Sequence, residues 1–343
     1  MAADREPFGS TRAGIPVEKI TIRAGGLEAE IITYGGALRA LRVPSKDGGS
    51  TDVVLGYDSV AGYEENGGYL GAIVGRYANR IAGARCLIDG KTVALAPNEG
   101  PNQLHGGPEG FSSRVFRVES AEEDRVVLSC TSPDGEGGFP GKLELRVTYT
   151  LTDRALRIRY EAASDKATYC NITNHAYFNL NGGGSVLGHT LWLDAERYTP
   201  VGPDSIPIAM ARPVAGTPFD FTSAKPLARD IDLADEQLRN VGGYDHNYVL
   251  APGQGLRLAA RLTGERSGIV MEAWTEKPGI QLYSGNFLAA KGGKGGADYG
   301  ARAGVCLETQ YFPDSPNHPE WGDIVLRPGA RYDSTTEYRF PEG

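Results

Sequence analysis

The 343-residue sequence lacks the features that mark several classes of protein. Its formal net charge is −8, and its 35 Lys and Arg residues form no cluster that offers a phosphate-binding surface. We therefore expect no nucleic-acid partner. No apolar run approaches the roughly 18 residues of a membrane-spanning helix, so we also expect no membrane partner.

Cysteine is scarce as well. The four cysteines form no Cys-x-x-Cys pair, so their spacing indicates neither a zinc site nor a redox motif. Cys130, Cys170 and Cys306 lie in apolar runs typical of strands, where we expect buried free thiols. Free thiols favour a reducing compartment, and the polar segment from Met1 to Ser10 has no apolar core of a signal peptide. We therefore expect a cytoplasmic protein.

Several catalytic fingerprints are missing. The glycine-rich stretches 182–188 and 292–296 fit neither a dinucleotide-binding loop nor a Walker loop, and no strand–helix unit surrounds them. A G-x-S-x-G elbow and an H-E-x-x-H motif are absent too. These absences weigh against nicotinamide, ATP and zinc-hydrolase chemistry.

Glycine and proline, by contrast, are abundant, with 47 and 21 residues, and they separate short runs of alternating or β-branched residues. Turn signals such as Asp47-Gly48-Gly49 and Asn181-Gly182-Gly183-Gly184 stand between these runs. We predict strands at 17–23, 27–34, 37–43, 51–55, 115–118, 125–129, 143–151, 155–162, 191–193, 256–262, 268–275, 280–284, 303–310 and 332–340. We predict only two short helices, at 60–64 and at 233–238.

Strands without intervening helices predict an antiparallel all-β architecture and not a βαβ sheet. No composition shift marks a linker, and no period of about 20–50 residues repeats. We therefore expect one domain over 1–343, folded as a large β-sandwich.

The stretch 171–180 has an unusual distribution of side chains. If it is a β-strand, one face carries Asn171, Thr173, His175, Tyr177 and Asn179, and the other face is mostly apolar. The first face holds only neutral donors and acceptors, one aromatic ring and one group that titrates near pH 7. It suits the floor of a site that holds a polyhydroxylated ligand and passes it a proton. The alternative is a half-buried strand with a structural histidine.

Three further stretches are rich in groups that bind hydroxyls. Segment 75–81 contains Arg76, Asn79 and Arg80, and a guanidinium fork fits vicinal hydroxyls or carboxylates, although surface salt bridges are the alternative. His105 lies in a predicted loop, 98–107, next to glycines that let main chain approach a ligand. Asp245 can accept two hydroxyl hydrogens or, alternatively, form an Asx-turn.

Glu308 stands in an otherwise neutral strand. A carboxylate in such a place is either paired with an arginine or has a raised pKa, and both are common in catalytic sites. A buried structural Glu–Arg pair is the alternative. His175 and Glu308 could form an acid/base couple, but their spacing in the sequence does not place them together.

Taken together, these stretches resemble the aldose 1-epimerase (mutarotase) family. The matching segments, in family order from about residue 15 to 340, are 75–81, the segment around His105, 173–180, 217–221, 244–246, 284–286, 307–310 and 326–329. The resemblance implies a galactose mutarotase-like supersandwich that interconverts the α and β anomers of a free aldohexose such as galactose or glucose. It also implies a monosaccharide as substrate, no cofactor and no metal, and we expect a monomer.

The resemblance also implies roles for individual residues. Glu308 matches the general base that takes the C1 hydroxyl proton, and His175 matches the general acid that protonates the ring oxygen. The matching binding residues hold hydroxyls, support the ring oxygen or form a wall of the site: Asn79, Arg80, His105, Tyr177, Asp245 and Gln281.

Three alternatives for the function stay open. A hexose-6-phosphate 1-epimerase would need extra cations, for which Lys291 and Lys294 are the obvious candidates. A non-catalytic sugar-binding module would be expected to have lost Glu308 or His175, yet both are present. A β-sandwich without a site is a third possibility.

The segment 5–9 resembles the mature start of secreted family members, so a periplasmic or secreted location is the alternative to the cytoplasm.

Overall fold

The computed structural model describes residues 2–46 and 48–342. Met1, Asp47 and Gly343 lie outside the described residues. Asp47 belongs to the predicted 47–49 turn, and Met1 and Gly343 are the two ends of the predicted 1–343 domain.

The described residues form 27 strands, most of them short. The first nine are β1 (Asp4–Ser10), β2 (Pro16–Ala24), β3 (Leu27–Ile32), β4 (Leu38–Pro44), β5 (Ser50–Asp52), β6 (Ile73–Val74), β7 (Arg80–Ile81), β8 (Arg85–Ile88) and β9 (Lys91–Ala94). The next nine are β10 (Gln103–Leu104), β11 (Arg117–Glu122), β12 (Arg125–Ser132), β13 (Leu143–Thr152), β14 (Ala155–Ser164), β15 (Thr168–Tyr169), β16 (Thr173–Asn174), β17 (Thr190–Leu193) and β18 (Arg197–Tyr198). The last nine are β19 (Arg212–Pro213), β20 (Lys225–Pro226), β21 (Asp245–Val249), β22 (Arg257–Thr263), β23 (Val270–Thr275), β24 (Gly279–Tyr283), β25 (Cys306–Gln310), β26 (Val325–Leu326) and β27 (Tyr332–Arg339).

Two α-helices, α1 (Val60–Glu65) and α2 (Glu236–Val241), occur in the described chain. The helix predicted at 60–64 is confirmed, and Ser59 caps it by accepting from the Gly62 N–H. The helix predicted at 233–238 is wrong in its bounds, because the side chain that caps the free N–H groups is Asp235. Short 3-10 turns lie at Ala82–Ala84, Phe111–Ser113, Glu136–Gly138, Leu227–Arg229, Lys294–Gly296, Ser315–Asn317 and Pro319–Trp321. None of the helices in the described chain has the length and apolar character needed to cross a membrane.

Three large sheets form the body of the fold. Nine strands pair in the order β11-β12-β13-β14-β27-β23-β22-β17-β20. One five-stranded sheet runs β1-β2-β3-β4-β5 and the other β19-β18-β21-β24-β25. The pairings within these sheets are antiparallel, and β13 alternates buried with more exposed residues, as expected for a strand with one face on a core.

The sheets pack in two layers. β2 and β3 of the first five-stranded sheet lie against β12 and β13 of the nine-stranded sheet. In the second five-stranded sheet, β25 lies against β27, where the Tyr338 hydroxyl donates to the Leu307 carbonyl at 3.2 Å. Side chains such as Ile20, Val147 and Ile158 are fully buried between the layers, and each contributes about 1.5–3 kcal/mol through removal of apolar surface from water. The predicted all-β sandwich is confirmed.

The interpretation of 171–180 as one continuous β-strand is wrong. Within this stretch only β16 is a strand, and outside it Asn171 and Phe178 form isolated bridges. Its main chain bonds to loops instead of to a neighbouring ladder, as when the His175 N–H donates to the Ala72 carbonyl at 2.9 Å. The amide of Asn179 likewise donates to two main-chain carbonyls, so this side chain is structural.

Candidate active site

A cavity of about 300 Å³ opens beside β25, at the lower end of the ~300–1,000 Å³ range of small-ligand pockets. It joins parts of the chain that are far apart in sequence. Seven of the eight predicted site residues line it: Asn79, Arg80, His105, His175, Tyr177, Asp245 and Glu308. From the predicted polar face of 171–180, only His175 and Tyr177 reach this cavity.

Gln281, the eighth predicted residue, lies behind the cavity wall. The strands β21, β24 and β25 are neighbours, and their register places Gln281 directly opposite Glu308. The Gln281 side-chain amide donates to Asp245 Oδ1 at 2.6 Å. The amide therefore orients the carboxylate that faces the cavity.

His175 and Glu308 meet at the base of the cavity, with 3.7 Å between Nε2 and Oε1. Both side chains are almost completely buried, and Glu308 Oε2 has no hydrogen-bond partner among the described residues. Burial raises the pKa of Glu308 well above its usual value, the charge of Asp245 raises it further, and Arg80 opposes both. Burial lowers the pKa of His175 to about 4. The couple therefore holds one exchangeable proton, which burial places on Glu308.

His105 is held as a neutral hydrogen-bond donor. Its Nδ1 accepts the main-chain N–H of Asn79 at 3.1 Å, and because an N–H can only donate, the ring hydrogen must sit on Nε2. Burial lowers the pKa of His105 well below its usual value, and the neighbouring His175 and Arg80 lower it further. Its ring centroid lies 5.1 Å from that of His175.

The side chains of His105, His175 and Glu308 offer ligand atoms within 4.8 Å of one another, which also suggests a metal site. A metal-bound histidine normally donates its other ring N–H to an acceptor. His105 does the reverse, since its other nitrogen accepts a main-chain N–H and the nitrogen toward the cavity carries the hydrogen. The donor set therefore fits proton transfer better than metal binding.

Arg80 is held in place by a residue that the sequence patterns missed. Its guanidinium donates to both carboxylate oxygens of Glu99, at 2.6 and 2.8 Å. Nη1 of Arg80 stays 3.9 Å from Asp245 Oδ2, beyond hydrogen-bond distance. Arg76, the other arginine of the predicted cluster, does not reach the cavity, because it is buried and donates to Ser132 and to main-chain carbonyls. No local signal in the sequence separates the two arginines.

Strained main chain supports the rim. Tyr69, Asn79 and His105 have φ values of 58°, 66° and 52°, a region that costs non-glycine residues about 1–3 kcal/mol each. Gly106 follows His105 with a φ of +91°, and a Cβ there would lie 1.9 Å from the Gly75 carbonyl oxygen. The close approach of these two segments fixes the position of His105.

Aromatic rings form the walls. The ring centroids of Tyr177 and Tyr69 lie 5.0 and 5.8 Å from that of His175, and Tyr283 lies at 6.5 Å. Phe287 stands at the rim with 69% of its surface exposed. Sequence reasoning missed Tyr69, Tyr283 and Phe287, because an aromatic residue in a β protein is usually part of the core. These walls exclude water and so cause the opposite pKa shifts of the acid/base couple.

Comparisons with known proteins agree with this arrangement. A family model described as Aldose 1-epimerase matches residues 18–339. The chain is 43% identical over 333 residues to the aldose 1-epimerase of Escherichia coli, covering 95% of this chain and 96% of that protein. It is 41% identical over 340 residues to the galactose mutarotase of Homo sapiens, covering 98% of each. The solved structure of the GalM/aldose epimerase homologue from C. elegans matches with a TM-score of 0.88 at 34% identity, over 94% of this chain and 98% of that one. This chain therefore belongs to the aldose 1-epimerase family.

Proposed function

We propose that this protein interconverts the α and β anomers of free aldohexoses such as galactose and glucose. The observation that carries the proposal is the buried pair of His175 and Glu308, 3.7 Å apart, facing a cavity of about 300 Å³. Ring opening of a hemiacetal needs an acid at the ring oxygen and a base at the C1 hydroxyl, and each must be able to return its proton. The pair offers one proton and two sites for it.

The proposed steps move protons only. The proton of the couple passes from Glu308 to Nε2 of His175, which leaves a carboxylate. Glu308 then removes the C1 hydroxyl hydrogen while His175 Nε2 protonates the ring oxygen, so that the C1–O5 bond breaks and a C1 carbonyl forms. Rotation about C1–C2 presents the other carbonyl face, and the reverse transfers close the ring. No electron leaves the sugar, so the cycle needs no redox cofactor.

The remaining groups bind the sugar in this proposal. His105 donates through Nε2, Arg80 donates through its guanidinium, and Asp245 accepts hydroxyl hydrogens, with its carboxylate fixed by Gln281. Tyr177 supplies an apolar wall next to His175. Asn79 supports the loop, since its N–H fixes the His105 tautomer and its side-chain oxygen accepts from the Arg80 N–H at 2.8 Å.

Free aldoses are favoured over sugar phosphates because the candidate cations are already paired. Lys294 is partly buried and donates to Asp52 at 2.5 Å and to two main-chain carbonyls. Lys291 pairs with Asp298 at 2.7 Å, and neither lysine lines the cavity. The cavity itself carries the carboxyl groups of Asp245 and Glu308. The Asp245 carboxylate would repel a dianionic phosphate, since Arg80, which also lines the cavity, is already paired with Glu99.

We also propose a domain organisation, a cellular compartment and an oligomeric state for this chain. We propose one domain over 1–343, because one family model matches residues 18–339. The described cysteines are free thiols, which favours a reducing compartment such as the cytoplasm. Only five large apolar side chains are exposed among the described residues, which favours a monomer. An assembled acid/base couple argues against a module that only binds sugar.

Polarimetry of freshly dissolved α-D-galactose and α-D-glucose tests the proposal. The wild-type protein should make the optical rotation reach its equilibrium value faster, and that value should be the same as without the protein. Glu308→Gln and His175→Asn should each lose about 10²–10⁴-fold in kcat, the usual contribution of a positioned acid or base. Buried residues outside the cavity provide matched controls, Glu337→Gln and His189→Asn, which should keep kcat near the wild-type value.

Two results would contradict the proposal. If the wild-type protein speeds the anomer interconversion of neither free sugar but does speed that of glucose 6-phosphate, the result would support the hexose-6-phosphate 1-epimerase alternative. Full activity in Glu308→Gln, with folding verified by circular dichroism, would remove the assigned base.

A further inference from the structure

Strand β25 contacts both nitrogens of the His175 imidazole. Cys306 and Glu308 are two residues apart on this strand, so their side chains project from the same face. Cys306 Sγ lies 3.6 Å from Nδ1, and Glu308 Oε1 lies 3.7 Å from Nε2. The imidazole therefore stands between a thiol and a carboxyl group of one strand.

The proposed chemistry demands one particular tautomer of His175. If Nε2 is to take a proton and then give it to the ring oxygen, it needs a lone pair in the neutral state. The hydrogen of neutral His175 must then stay on Nδ1 and needs an acceptor. His105 has the opposite arrangement, because a main-chain N–H occupies its Nδ1. The two histidines thus have different partners on the same ring atom.

Two acceptors are near the Nδ1 side of His175. One is the main-chain carbonyl of His175 itself, which raises the pKa of this ring against the larger effect of burial. That carbonyl also accepts the Gly71 N–H at 3.0 Å. The other acceptor is the sulfur of Cys306, which is fully buried. Burial raises the pKa of this thiol well above its usual value, so the sulfur stays a neutral partner and forms no ion pair with the imidazole.

We propose that Cys306 is a positioning residue that accepts the Nδ1–H of His175 and so reserves Nε2 for proton transfer. The proposal rests on the proposed function, since it assigns the proton transfers of His175 in that reaction to Nε2 alone. It involves no covalent step at sulfur. The thiol keeps its hydrogen, and the protons that move are those exchanged among Nε2, Glu308 and the sugar oxygens.

Nuclear magnetic resonance of protein with ¹⁵N-labelled histidine tests the tautomer directly. In the wild-type protein at neutral pH, His175 should show a protonated, pyrrole-type Nδ1 and a pyridine-type Nε2, and His105 should show the reverse. Assignment follows from loss of each signal set in His175→Asn and His105→Asn. A pyridine-type Nδ1 in His175 would overturn the proposal, whatever the activity of the protein.

Kinetics of cysteine variants test the role of the sulfur. Cys306→Ala should lower kcat about fivefold, the effect of one weak hydrogen bond, with KM unchanged within about twofold. Cys306→Ser keeps a small polar acceptor and should recover most of kcat. Cys170→Ala removes another fully buried thiol, outside the cavity, and should leave kcat unchanged.

The outcomes separate this proposal from the proposed function. Unchanged kcat in Cys306→Ala, or an equal loss in Cys170→Ala, would overturn the positioning role while the mutarotase activity stands. If Cys306→Ala fails to fold, the kcat of Cys306→Ser and the ¹⁵N spectrum of the wild-type protein test the positioning role instead. A wild-type protein without activity on either sugar would defeat the proposed function, and the tautomer of His175 would still be measurable.

Discussion

Removing the charge of Glu99 should weaken sugar binding without touching the acid/base couple. Glu99 holds the Arg80 guanidinium by two hydrogen bonds, of 2.6 and 2.8 Å, and so keeps Nη1 at 3.9 Å from Asp245 Oδ2. In Glu99→Gln one charge-assisted bond is lost. We expect Arg80 to move toward Asp245 and pair with it, which removes an acceptor that the sugar hydroxyls need.

The magnitude follows from the geometry of the pair. A hydrogen bond to a charged group contributes about 1.5–3 kcal/mol. Because the Glu99 side chain is 36% exposed, solvent screening reduces the loss to about 1–1.5 kcal/mol. Each 1.4 kcal/mol corresponds to about a factor of ten. KM should therefore rise about five- to tenfold, and kcat should stay within about threefold of the wild-type value.

Polarimetric initial rates over a range of galactose concentrations give both constants. Glu28→Gln is the matched control, because Glu28 is 28% exposed and pairs with Arg42 on a sheet away from the cavity. It should change neither constant. A fall in kcat with unchanged KM in Glu99→Gln would refute the reasoning, since Arg80 would then act in the chemical step.

Two further predictions concern pH and the loop that carries His105. The pH profile of kcat/KM should be a broad plateau with its acid limb near pH 4, where the couple gains a second proton, because burial lowers the pKa of His175 to about 4. The alkaline limb should report loss of the proton from Glu308, whose pKa is raised. If kcat/KM instead falls on acidification with a midpoint near pH 6.5, His175 has an unshifted pKa and the account is contradicted. Gly106→Ala should lower the free energy of unfolding by about 3–5 kcal/mol, since its Cβ would collide with the Gly75 carbonyl. Gly100→Ala, also at positive φ but in open space, should cost only about 1 kcal/mol, and equal losses in urea denaturation would contradict this account.

Much of the fold could be predicted from local patterns in the sequence. Alternation of apolar and polar residues with period two, broken by glycine and turn residues, predicts antiparallel strands such as Leu143–Thr152 and Ala155–Ser164, and both are present. The same reasoning failed at 171–180. There the alternation is real, but the main chain bonds to loops from other parts of the chain, and a period-two pattern carries no information about where hydrogen bonds go.

For the site, the sequence determined which chemical groups are available, and the resemblance singled out His175 and Glu308 among them. The tertiary structure decided that these two meet and that Glu99 holds Arg80 at the cavity. It also decided the shifted pKa values and the fixed tautomer of His105. The physical reason is that a pKa and a tautomer depend on burial and on hydrogen-bond partners, and these come from segments that are distant in the sequence.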